Sequence, residues 1–278
     1  MNQPSQALDE LTNTFTADRA FFDDLMTDPC GEAFVEMCVW YIWLHEYLHD
    51  IQDSLGDAGK SHGSDYRVWV ISMIGGAAQG IGMLMYLLAR GIVHEAAASG
   101  RRALEYLGMA SHLVGDPTKA QFLCKEEMKS PAFKNAFVRG MDRDEARKLK
   151  QAGIAYRFAG MSTGMAKAAT QLYDLFSRFN VHGGTMSALT GIALSPTKNS
   201  CAFHNRSLSE VAKNVPLFEP ILEITAIELM DLVGHHGTPN KRVNEAGACV
   251  LVWLDRTDPR WLERLRTIRR GFGLSTPT

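Results

Sequence analysis

His45-Glu46-Tyr47-Leu48-His49 places two imidazoles four residues apart, with a carboxylate directly after the first. On a helix, positions i and i+4 lie one above the other, so both rings can reach one metal ion. Glu46 then stands one residue along, where it could take a proton from a zinc-bound water. Zinc chemistry of this kind needs a third protein ligand and keeps the fourth position for water. His62, thirteen residues after His49 in the glycine-rich stretch Gly56–Gly63, is the candidate. The competing reading makes Glu46, Asp50 and Asp53 the wet face of a core helix, with His45 and His49 edging its buried stripe.

Fewer groups elsewhere point to chemistry. Glu228, Asp231 and His235 share a helix face beside His235-His236-Gly237 and could offer a metal ligand, although a solvated helix end has the same pattern. Glu46-xx-His49 is the only ExxH in the chain, so a di-metal carboxylate bundle lacks its second half. No GxSxG, Walker loop or GxGxxG after a strand is present, which removes hydrolase-elbow, P-loop and Rossmann chemistry.

The elements that must position these groups are helices. A short one over Ala17–Met26 is followed by a long apolar one from about Glu32 to Leu55, stopped by Gly56. Ser64 caps a helix over about Asp65–Arg90, with Gly91 at its end. Another runs from Val93 to Val114 and ends at Gly115. Asp116-Pro117 and Ser130-Pro131 each read as a cap followed by proline in the first turn. Further helices fall near Arg143–Gln151, Ala166–Phe179 and Pro220–Val233, with a last one from Pro259. Leu194–Asn205 reads as irregular, and Val250–Trp253 is the one strand-like run. The fold class is all-α, a helical bundle with a central apolar helix at about 65–90. It forms a single domain over 1–278, with peripheral N-terminal helices in 1–30 and a basic C-terminal helix and tail in 259–278.

Composition narrows the partners. Among 278 residues the formal charge is −2, which argues against DNA, and 46% are hydrophobic, which is ordinary for a globular chain. The five scattered cysteines form no CxxC pair, which excludes a zinc ribbon, argues against a disulfide framework and fits a cytoplasmic location. Val68–Ala89 holds no charged residue over 22 positions, between Arg67 and Arg90. That is long enough for a membrane span at 68–89, and Gly76-xxx-Gly80 suits close helix packing. Its glycines, the central Gln79 and the lack of a second such run favour a buried bundle helix. The apolar surface of this helix and of Phe34–Leu44 exceeds what one small bundle buries, which points to a homodimer built by the first half of the chain.

Two resemblances extend the reading. His45–His49 followed by His62-Gly63-Ser64-Asp65-Tyr66 resembles the SprT-like zinc metallopeptidases, in which HExxH precedes His-Gly, two residues and an aromatic. The likeness implies zinc held by His45, His49 and His62, with Glu46 as the catalytic base. From about Val70 to His182 the chain resembles uncharacterised bacterial all-helical proteins of HEPN-like type. It is carried by LLARGIVHEAAASGRRALEYLGMASHLVGDPTKAQF, with Arg102 and Glu105 at i, i+3, and by Leu172–Ser177 leading to Val181-His182-Gly183. That likeness implies a helical bundle acting as a binding or regulatory module. HEPN ribonucleases place an Arg and a His four to six residues apart at a dimer interface. Arg178 and His182, the corresponding pair here, have three residues between them. They would serve RNA cleavage, with His182 as acid/base group, only if that shorter spacing works. As a plain helix C-terminus they complement the dipole.

Overall fold

The computed structural model describes residues 16, 19–58, 64–117, 143–180, 192–194, 201–203 and 208–236. Seven helices account for most of them: α1 (19–27), α2 (Glu32–Ala58), α3 (Ser64–Leu88), α4 (Val93–Gly115), α5 (Arg143–Ala152), α6 (Thr163–Asn180) and α7 (Leu208–His236). The all-α fold expected from sequence is the observed one. Four helices close a ring in which α2 packs on α3, α3 on α4, α4 on α7 and α7 back on α2, while α6 packs against α4 and α7. One small addition is a two-stranded antiparallel ladder, β1 (Ile192–Leu194) with β2 (Cys201–Phe203), in the stretch read as irregular. The strand-like Val250–Trp253 and the proline-led helices after Pro117, Ser130 and Pro259 lie outside the described residues.

Glycine sets both the helix ends and the closest packing. Gly91 has φ +72° and Gly153 φ +69°, a left-handed conformation that costs glycine little. After α3, the Ile92 N–H donates to Leu87 O and the Gly91 N–H to Leu88 O, which is a Schellman stop. Gly153 and Ile154 repeat it on Lys150 and Leu149 at the end of α5. Gly56, by contrast, does not end α2, which continues to Ala58 with Leu55 fully buried. Along the α3–α4 seam, a Cβ on Gly76 would lie 2.8 Å from the Tyr106 ring, and one on Gly80 2.8 Å from the Ala103 Cβ. On the other helix, a Cβ on Gly100 would lie 2.8 Å from Leu84 Cδ1. Positions 76, 80 and 84 thus meet 106, 103 and 100, an antiparallel pairing at close range. The Gly76-xxx-Gly80 pair is spent inside the chain, against α4.

α4 tolerates neighbours on several sides because its buried positions are largely small: Ala96, Ala97, Gly100, Ala103, Gly108 and Ala110. Phe176 of α6 fills the space over Gly100 and stacks on Phe218 of α7 at 5.4 Å. α7 itself departs from the sequence expectation. Pro220 reads as a helix start, but the helix begins at Leu208 and runs through both Pro216 and Pro220. Each internal proline removes a backbone donor and costs about 3 kcal/mol. Burial of Val211, Val215, Phe218, Ile221 and Leu222 against the other helices offsets that cost.

α3 is flanked by α2 and α4 and is therefore not buried all round. It is the one helix among the described residues with the length and hydropathy of a membrane span, at Tyr66–Leu88. Its outer side remains exposed: Val68 at 61%, Met83 at 50% and Tyr86 at 50%, together with Ser72 and Gln79. Ile42 of α2, 56% exposed, follows the Tyr41 whose hydroxyl reaches Gly82 of α3.

Candidate functional site

The HEYLH motif lies in the middle of α2, whose helix is unbroken across it. Backbone geometry therefore puts His45 and His49 one turn apart on one face. Leu44, Tyr47, Leu48 and Ile51 are buried, and burial raises the Tyr47 hydroxyl pKa. His45 is exposed, its ring 5.7 Å from that of Tyr41 and tilted against it. The side chains of Glu46 and His49, and all of His62, lie outside the described residues. Among the described residues no group of three metal-ligating side chains gathers. The described part of the motif thus offers one candidate ligand, on an outward face, and does not make up a zinc site. Burial pushes the Cys38 thiol up to about 11, so it is no nucleophile at neutral pH.

The best-formed polar constellation lies elsewhere, where α4, a 3-10 turn at Tyr156–Phe158 and α6 converge. Glu105 Oε1 accepts from Arg157 Nη1 at 2.5 Å and from the Tyr173 hydroxyl at 2.7 Å, and Arg101 Nη2 stands 3.6 Å away. Arg101 and Arg157 also lie over the Tyr173 ring, at 4.7 and 4.1 Å from its centroid. Burial raises the Tyr173 hydroxyl pKa, and so does its bond to the Glu105 carboxylate, while the two arginines oppose that rise. The turn is fastened further down as well. His112 of α4 faces Tyr156 O at 2.9 Å, and because a carbonyl can only accept, the imidazole proton is on Nε2. The Thr170 hydroxyl of α6 accepts from the Ala155 N–H and donates to Ala166 O. A Cβ on Gly108 would collide with Arg157 O, and one on Gly160 would lie 2.6 Å from His112 N.

Sequence spacing pairs Arg102 with Glu105, but Arg102 is exposed and the partners are Arg101, one turn back, and Arg157, from the turn. Arg101-xxx-Glu105 is an i, i+4 pair visible in the sequence. Nothing local marks Arg157 or Tyr173, which reach Glu105 from 52 and 68 residues away. Chemically the cluster is a brace: the carboxylate, the phenol and two guanidinium groups are engaged with one another.

Of the Glu228–Asp231–His235 face, only Asp231 and His235 meet, with His235 Nδ1 3.3 Å from Asp231 Oδ1. His235 Nδ1 lies 2.9 Å from Asp231 O on the exposed end of α7, whereas Glu228 is buried one turn earlier. Burial pushes the Glu228 carboxyl up to about 7, the Ser111 hydroxyl of α4 bonds it and pulls the value back, and the Asp231 charge raises it. The Ser111 hydroxyl also lies 3.0 Å from Leu107 O, so its one proton is divided between that carbonyl and the Glu228 carboxylate. Arg178 belongs to the last turn of α6, with its side chain outside the described residues, as is the whole of His182.

No family model, no curated protein and no solved structure matches the chain.

Proposed function

We propose that this protein works by binding, as a cytoplasmic all-helical regulatory module of HEPN-like type that presents an uncharged helix face to a macromolecular partner. The observation that supports this most is the outer side of α3, where Val68, Ser72, Gln79, Met83 and Tyr86 are exposed on a helix without a charged residue from 68 to 89. Solvated helix faces are usually studded with Lys and Glu, whereas the core of an interface sheds charge and keeps Tyr and Met. The bracing cluster around Glu105 adds support, because its side chains are committed to holding α4 and α6 in place. A photo-crosslinking residue at Met83 should give discrete protein adducts in cells, while one at the exposed Lys148 of α5 should not. Equal labelling at both positions would remove the binding role from this face.

A zinc-dependent hydrolase is the second reading, favoured by the continuity of α2 through HEYLH. In it His45, His49 and His62 hold the metal and Glu46 is the base. About one zinc per purified chain, lost in His45→Ala, together with peptide hydrolysis lost in Glu46→Gln, would move the function there.

A further inference from the structure

The geometry points to a phosphate-binding site at Arg101 and Arg157, whose guanidinium groups together hold one phosphate dianion, free or as a monoester, beside the Tyr173 ring. The site lies apart from the outer face of α3 and stands independently of the binding reading. The brace around Glu105 leaves most of its donors unspent. Each guanidinium has five N–H donors in a planar fork. Arg157 gives Nη1 to Glu105 Oε1, while its Nε is buried without a partner among the described residues. Arg101 stands 3.6 Å from the same oxygen, too far for a hydrogen bond, and forms none with the described residues.

Charge is unbalanced in the same direction. Two cations share one carboxylate, and among the described residues the charges acting on the Tyr173 hydroxyl are Glu105, Arg157 and Arg101, so no second carboxylate offsets the pair. Arg102, the next residue on α4, is exposed and adds a further positive charge alongside. The Arg101 and Arg157 nitrogens that meet the same Glu105 oxygen lie within about 6 Å of each other, close enough for one tetrahedral anion to accept from both. The two side chains are 25% and 23% exposed. That is open enough for a small ligand to enter, yet desolvated enough for an unmet N–H to be costly and for an anion to be held more strongly than in water. Both guanidinium groups are steadied over the Tyr173 ring, at 4.7 and 4.1 Å, so binding orders little that is not already ordered. Glu105 opposes an anion, but with one charge against two. A carboxylate ligand brings a single charge, whereas a phosphate brings nearly two and at least three acceptor oxygens, which matches the unspent donors better.

Calorimetric titration of the full-length protein with inorganic phosphate and with phosphoserine, at pH 8 and at an ionic strength held constant with chloride, should show one site with millimolar or tighter affinity. Arg101→Ala breaks no hydrogen bond of the brace and should weaken that affinity about ten-fold or more in a chain that stays folded. Arg101→Lys should recover only part of it, since a point charge replaces the fork. Glu105→Gln keeps an acceptor for Arg157 and Tyr173 but removes the opposing charge, and should tighten phosphate binding several-fold. A purely structural ion pair gives no such gain. Lys148→Ala, on the exposed side of α5, should leave binding unchanged. Tighter binding of phosphoserine assigns the ester as the source, and equal or weaker binding assigns the free anion. The inference is overturned by a titration that matches the chloride control, by wild-type affinity in Arg101→Ala, or by weaker binding in folded Glu105→Gln.

Discussion

α3 and α7 invert the usual relation between composition and burial. α3 carries no charge from 68 to 89 and leaves a whole side exposed, whereas α7 carries Glu219, Glu223 and Glu228 and buries all three. Apolar composition by itself would assign the interior to α3 alone. The difference lies in how many neighbours each helix has. α3 touches α2 and α4, while α7 touches α2, α4 and α6 and loses its solvent side over Phe218–Ala226. A neutral helix with a free side is suited to intermolecular contact. A charged helix without one must neutralise its acids or bond them, and Glu228 with Ser111 does both.

The largest expected effect tests the closed side of α3. Gly80→Leu would drive a Cβ to 2.9 Å from the Ala103 backbone nitrogen, which cannot swing away, and should cost about 3 kcal/mol in urea unfolding. Gly76→Leu meets the Tyr106 ring instead, a side chain that can turn, and should cost less. Equal and negligible costs would mean that α3 and α4 are not in close contact.

On α7, Glu228 gives a pH dependence of definite sign. Its folded pKa, about 7, exceeds the ordinary 4.5, so the native state holds this proton more tightly than the unfolded chain does. Stability from this group is full below pH 4.5, falls between 4.5 and 7, and is level above. Glu228→Gln keeps an acceptor for the Ser111 hydroxyl without the charge. It should gain up to about 3 kcal/mol over the wild type at pH 8 and almost nothing at pH 4. Destabilisation at both pH values would show that the carboxylate is wanted in its charged form.

Smaller effects belong to the brace and to the open faces. Tyr173→Phe removes one hydrogen bond to Glu105 and should lower stability by about 1 kcal/mol, read as a shift in the unfolding midpoint. Val68→Lys and His45→Ala touch exposed positions, and each should stay within about 0.5 kcal/mol in the isolated chain. A loss of several kcal/mol at either would show that the exposed sides of α3 and α2 are covered.

Much of the fold was legible because helix punctuation is local. Gly91, Gly115 and the 143–152 segment could be read from single residues, since a left-handed turn or a missing donor acts within one helical turn. Pro220 was misleading for the same reason: its local penalty is real, but the buried partners that outweigh it come from distant parts of the chain. The site was less legible. HEYLH announces a chemistry through spacing alone, but what each side chain faces depends on how α2 is rotated in the ring, and that rotation turns His45 outward. Arg157 and Tyr173 carried no signal at all, because their partner Glu105 is a tertiary neighbour.

By itself the amino-acid sequence determined the all-α class, the helix ends at Gly91 and Gly115 and the uncharged run of α3, all set by short-range sterics, hydrogen bonding and periodicity. Only the tertiary structure decided which faces are closed. It spent Gly76 and Gly80 on α4, buried the acids of α7, tied Glu105 to Arg157 and Tyr173, and left one side of α3 open. Those outcomes follow from which helices lie beside which, and burial depends on neighbours that no local pattern names.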